Sequence, residues 1–283
     1  VTDVAMKPSK APTRTTARWR EVPKYAFLSI VALLSIGPLY FMVVSATNTT
    51  QDVLGSSMLP GTNLIANWQS LTEFQDVGSA MYHSIINAVA TTVLALVVCS
   101  IAGYGFEVYH SPNKDRLMWV LMLAMMIPFA ATMIPLFQLF ADAGLVNSTW
   151  AVVLPAIATP LLILLFRQSA RSFPHEIIEA ARIDGLKEVA IFWRMFVPTM
   201  KPTYAAAAVI TFMTAWNNFL WPKVILVNPD YQTMPMLISN FTGGYVIDYG
   251  ALMLAVLITS LPTIIIFFVL QRSFVAGFTG VVK

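Results

Sequence analysis

Few residues in this sequence have the types and spacing that chemistry needs, and none of them has the make-up of a covalent catalyst. Glu179 stands beside Ala180 and Ala181, with Asp184 and Gly185 closing the same stretch and Pro198 further on. A carboxylate next to small residues and a helix-stopping glycine suits close approach and ion pairing with another surface. A second group is Trp216, Asn217, Asn218 and Trp221. Side-chain amides pair with hydroxyls, and an indole face suits the apolar face of a polyhydroxylated ligand. Helix–helix hydrogen bonding, with the tryptophans as interfacial anchors, explains the same residues without any ligand. His83, His110 and His175 are widely separated, and Cys99 is the sole cysteine, which points away from a metal site or an intrachain disulfide. The sequence contains no Gly-x4-Gly-Lys-Ser/Thr phosphate loop and no His-Glu-x-x-His.

The elements that must position these residues are set by composition. Hydrophobic residues make up 57% and charged residues 11%, with a mean hydropathy of +0.71. Soluble domains carry roughly 25% charged residues, so most of this surface must face lipid or other subunits. Apolar runs near 25–46, 83–107, 117–140, 150–166, 203–227 and 249–270 come close to the roughly 20 residues that cross a bilayer core. The first could be a signal peptide, since Val44-Ser45-Ala46 resembles a cleavage site, but it is long, interrupted by Gly37-Pro38 and followed by more runs. Lys and Arg concentrate in the tail 1–24, the loop after the second run, the segment 167–202 and the tail 272–283, while the intervening loops hold none. Lys223 lies near the end of the fifth run, where it can snorkel to the interface. By the positive-inside tendency, the expectation is an all-α polytopic membrane protein of six transmembrane helices with both termini cytoplasmic.

The segment 167–202 is the longest charged stretch. Ser172 reads as an N-cap, Pro174 suits the first helical turn, and Glu176 and Glu179 lie near the positive end of the helix dipole. A short helix from about Pro174 to Asp184 should end at Gly185, and a second should run from Leu186 to a stop before Pro198. Ala180 and Ala181 together should form a small-residue patch open to a partner. The plain alternative is an amphipathic loop lying on the membrane. The spacing Glu179-Ala180-Ala181-x3-Gly185-x9-Met195-x-Val197-Pro198 resembles the EAA motif of ABC importer permeases, Glu-Ala-Ala-x3-Gly-x9-Ile-x-Leu-Pro, with Met and Val in place of Ile and Leu. Nearly the whole chain resembles the second permease type of the maltose, multi-sugar and glycerol-3-phosphate importers. Phe166-Arg167-Gln168, Ala215 to Pro222 and Leu270 to Gly277 add to the likeness.

That resemblance implies the type I ABC importer permease fold, with a cytoplasmic coupling helix in a multi-pass protein of the bacterial cell membrane. It implies a heterodimer with a second, homologous permease, two ATPase subunits that bind ATP and Mg, and an extracytoplasmic solute-binding protein. Glu179 would pair with a basic group on the ATPase, and Gly185 would set the turn. The loop Asn228–Tyr249, with Gly243, Gly244 and Tyr245, would reach up to the binding protein, and the tail 272–283 would touch the ATPase pair. The chain would bind no cofactor or nucleic acid and catalyse nothing. A sugar cargo is the leading expectation and glycerol-3-phosphate the first alternative; the runs hold no Lys or Arg apart from Lys223, which favours a neutral cargo. An ion-coupled secondary transporter would ordinarily show mid-span carboxylates, and no run has one.

Overall fold

A computed structural model describes residues 14–244 and 247–279, with side chains from Glu21 to Gln271 except Phe74 and the gap at 245–246. The described residues form helices and connecting turns, with no strand. In chain order the helices are α1 Arg14–Ser45, α2 Thr50–Leu54, α3 Leu64–Phe74, α4 Val77–Val108, α5 Pro112–Ala124, α6 Phe129–Asp142, α7 Thr149–Val153, α8 Pro160–Arg171, α9 His175–Ile183, α10 Glu188–Ile191, α11 Val197–Thr199, α12 Lys201–Trp216, α13 Leu220–Ile225, α14 Met234–Thr242 and α15 Tyr249–Thr279.

Three of these are long and apolar enough to cross a bilayer within Glu21–Ser45, Val77–Val108 and Tyr249–Gln271. The other expected spans are broken. The third run is two helices, α5 and α6, bent by 99° at the break before Pro128, which has no N–H to continue the ladder. The fourth bends by 48° between α7 with its following turn and α8, at Pro160. The fifth is not continuous over 203–227: α12 stops at Asn217 and α13 restarts at Leu220. Such interruptions in membrane helices survive where protein or a wet cavity satisfies the freed backbone groups. The polar stretch expected to precede the second span holds α2, α3 and the first turns of α4.

α4 is the central element, and its packing face is chosen by size. Ala80, Ser84, Ala88 and Thr92, then Ala95, Cys99 and Gly103, recur every three or four residues and are buried. In lipid no hydrophobic stripe can drive helices together, so small residues that let backbones approach mark the interface. Gly103 is the tightest point: a Cβ there would stand 2.6 Å from Phe166 Cβ and 2.7 Å from Arg167 N, both on α8. α12 packs on another side of α4 around Phe212 and Trp216, and α15 packs in turn against α12. α1 packs on α15 at the edge of the bundle, and among its described side chains only Val44 and Ser45, at its end, are buried. One end of the bundle is basic, around the α4–α5 and α8–α12 connections. The opposite end carries Asp52, Glu73, Asp76, Asp142, Asp230 and Asp248.

At the acidic end Asp248 fastens three elements. Its carboxylate accepts from Thr50 Oγ1 at 3.0 Å, Ser70 Oγ at 2.8 Å and the Ala251 N–H at 3.2 Å. Burial alone would raise its pKa, but these bonds and the Gly250 N–H together outweigh it and hold the carboxyl below its ordinary value. The expected open loop 228–249 is largely structured. It contains α14, whose Met234 N–H donates to Ser84 Oγ at 2.7 Å. Lys223 does not merely snorkel: it donates to Asn240 at 2.7 Å, Asn240 to Gln232, and Gln232 to Gln75.

Candidate coupling site

α9 exists because both its ends are written locally. Pro174 occupies the N-cap in extended geometry, and Glu176 complements the dipole in the first turn. Ser172 does not cap it, contrary to expectation. It ends α8 and donates its hydroxyl to Ser169 O at 2.7 Å, because Pro174 shifts the helix start two residues on. The far end is a Schellman turn. Gly185 sits at φ +80, its N–H donates to Arg182 O at 3.0 Å, and the Leu186 N–H donates to Ala181 O at 3.0 Å. Asp184 is the last residue before that turn. Arg182 reaches across it to Glu188 Oε1 at 2.7 Å, stapling α9 to α10, and this guanidinium holds the Glu188 carboxyl below its ordinary pKa.

The inner face of α9 is seated, and its outer face is bare. Ile178 and Ala181 are buried against Tyr104 of α4, Ala170 of α8, Phe173, Ile191, Phe192, Phe196 and Met200. Ala181 is therefore part of the seat, so the expected Ala180–Ala181 outer patch reduces to Ala180. Glu179, Ala180 and Asp184 face outward with Ile183, which is 86% exposed, and Val189 and Trp193 continue the bare surface. Glu179 makes no ion pair among the described residues. The segment after α10 does not stop before Pro198. It runs through a π turn at Phe192–Phe196 into α11, which contains Pro198, and ends at Met200. The wide turn absorbs the bond Pro198 cannot make to Arg194 and stacks Phe192 on Phe196 at 5.6 Å.

An ion cluster with Arg167 and Glu107 buried at its centre and Asp115, Arg171 and His110 at its exposed rim lies beside this seat. Arg167, 5% exposed, donates to Glu107 at 3.1 Å and to Asp115, Arg171 donates to both Glu107 oxygens, and His110 lies 3.0 Å from Asp115. These groups join the end of α4, the start of α5 and the end of α8, three residues from Ala170 of the seat. Glu107 stands at the end of the second apolar run, where its sequence neighbourhood gives it no partner. The available signal was two acids flanking a short basic loop with an arginine at the end of a later run; their meeting across about sixty residues is a tertiary fact.

The second group divides. Trp216, 2% exposed, stacks on Phe212 and donates its indole N–H to Thr259 O at 3.0 Å. Trp221 is equally buried and donates to Ala151 O at 2.8 Å. Neither indole offers an open face, so the expectation of stacking platforms is corrected: both are packing residues, since a buried N–H must find an acceptor. Asn217 donates to Met213 O at 2.8 Å and borders a cavity beside α14 and α15. Asn218 borders a different one, beside α4, α8 and α12. Gly243 ends α14, Gly244 follows in a bend, and Tyr245 lies outside the described residues, as do the side chains of 272–283.

An all-helical bundle with three long apolar helices, broken helix pairs and an exposed helix seated at its basic end defines a membrane-embedded helical protein. The chain belongs to the family of binding-protein-dependent transport system inner membrane components, which matches residues 100–279. The lactose transport system permease protein of Rhizobium radiobacter is 43% identical over 95% of this chain and 99% of its own. An arabinooligosaccharides transport system permease protein of Halalkalibacterium halodurans is 32% identical over 95% and 98%. The sn-glycerol-3-phosphate transport system permease protein of Escherichia coli is 28% identical over 92% and 96%. A chain of a bacterial ABC transporter that imports the acidic polysaccharide alginate superposes with a TM-score of 0.77 at 20% identity, over 95% of this chain and all of that one. The protein is thus a permease subunit of an ABC importer, an inner-membrane protein that associates with ATPase and substrate-binding partners and binds no cofactor of its own.

Proposed function

We propose that this chain is half of a heterodimeric pore that imports a neutral sugar or short oligosaccharide delivered by an extracytoplasmic binding protein. α9 docks on one of two ATPase subunits, which bind ATP and Mg, with Glu179 pairing to a basic group there and Gly185 setting the turn. In this reading the chain makes six spans, counting each broken pair and α12–α13 as one, with both termini and α9 in the cytosol, and the concentration of Lys and Arg around α9 supports that orientation. The Gly243–Gly244–Tyr245 stretch then faces the binding protein. The observation that carries the reading is the two-sidedness of α9: Ile183, Ala180 and Glu179 are bare outside, while Ile178 and Ala181 are packed into a seat shared with α4 and α8. Movement imposed on α9 by closing ATPases therefore passes to the membrane helices as a rigid-body switch between inward- and outward-facing states. Names of relatives at 43% and 32% identity support a sugar cargo.

The test is to purify the chain with the proteins encoded beside it and measure ATP hydrolysis with sugar-loaded binding protein. Stimulated hydrolysis is expected; absence of a co-purifying ATPase sinks the docking role of α9. Glu179→Lys should lower the amount of ATPase retained, with membrane insertion unchanged. Sugar uptake by that variant equal to the parent would remove Glu179 from the interface.

A further inference from the structure

We propose that this chain carries its own recognition pocket for the hydroxyl groups of a neutral sugar, between α4, α8 and α12, with Asn87 among its buried polar groups. The inference rests on the importer reading and adds to it a place and a chemistry for the cargo.

The cavity holds about 490 Å³, within the roughly 300–1,000 Å³ of small-molecule sites. Its walls combine leucines such as Leu161 and Leu165 with the polar side chains of Asn87, Thr91, Gln168, Thr211 and Asn218. Among the described residues no Asp, Glu, Lys or Arg lines it. Such a wall offers apolar contact plus amide and hydroxyl partners, which matches a polyhydroxylated molecule without charge. It offers no Arg or Lys side chain to a phosphate or carboxylate, although the N-terminus of α8 at Thr159 lies on its wall.

Asn87 is the decisive residue. It is 5% exposed in the first third of α4, and among the described residues its Oδ1 accepts no hydrogen bond. An unsatisfied buried acceptor costs about 1–3 kcal/mol, so an amide at this position asks for a donor from outside the chain. The break between α7 and α8 contributes Thr159 to the lining, and the break after α12 contributes Asn218. Both interruptions of regular helix therefore adjoin one cavity, as expected where irregular backbone lines a passage instead of facing lipid.

The test uses the whole complex, with its second permease, ATPase pair and binding protein, in proteoliposomes. Uptake of a panel of neutral di- and trisaccharides including lactose is measured alongside ATP hydrolysis. Asn87→Leu and Asn218→Leu keep side-chain volume and remove the amides. Each should lower the sugar transported per ATP hydrolysed at least tenfold. In a Cys99→Ala background, Asn218→Cys should react with a small hydrophilic maleimide, and saturating cargo sugar should slow that reaction at least fivefold. Transport per ATP within twofold of the parent in both leucine variants, or labelling indifferent to sugar, overturns the pocket and leaves the importer reading standing. Loss of the second permease from both leucine variants assigns the amides to the permease–permease interface and equally overturns it. A parent complex that hydrolyses ATP but takes up no neutral sugar fails at the cargo reading itself, and the pocket falls with it.

Discussion

Gly185 matters because of one backbone angle. At φ +80 a side chain meets no neighbour within 4 Å, so the cost of replacing it is conformational and not steric. Gly185→Ala should destabilise the Schellman turn by about 1–2 kcal/mol and Gly185→Asn by less, read as faster amide exchange at Leu186. Arg167 matters because it is buried among acids. Arg167→Ala leaves Glu107 desolvated beside only Arg171, and breaking such a pair costs about 3–5 kcal/mol. A detergent-solubilised complex carrying it should unfold at a clearly lower temperature, and adding Glu107→Gln should restore part of the loss. Equal midpoints for parent and single variant would mean that the cluster does not hold α4, α5 and α8 together.

Asp248 acts between elements, joining α2 and α3 to the start of α15. Its carboxyl is held below the ordinary value of about 3.9, so it stabilises the fold fully above that value and loses the contribution as pH falls through the depressed one. The thermal midpoint should therefore drop on acidification through the carboxylate range, and Asp248→Asn should flatten that part of the profile while lowering the midpoint at neutral pH. At the same scale, the helix breaks were only partly legible. Pro128 and Pro160 mark two of them in sequence. The third, at Asn217–Phe219, lies inside an apolar run that hydropathy reads straight through, and its sequence mark is Pro222, which cannot donate to the Asn218 carbonyl.

For the whole molecule the question is how a push at one end reaches the pore. Ile178, with Ala181, seats α9 in the apolar cluster that also holds Tyr104 of α4 and Ala170 of α8, and Ile178→Ala should remove about 2–5 kcal/mol of packing there. Because Ile178 does not face outward, the ATPase should still co-purify with that variant, while sugar transported per ATP falls. Unchanged transport per ATP would show that force travels by another route.

The sequence by itself determined the all-α membrane class, the end of α9 at Gly185 and the family motif. Each depends on local composition, backbone angle or spacing, and these are carried by neighbouring residues. The tertiary structure alone decided the rest. It turned Ala181 inward, buried both tryptophans, gathered Arg167 with Glu107 and Asp115, and sent Asn217 and Asn218 to separate cavities. The reason is physical: in an apolar chain nearly every face is hydrophobic, so which face packs is chosen by side-chain size and hydrogen-bond demand against partners distant in sequence.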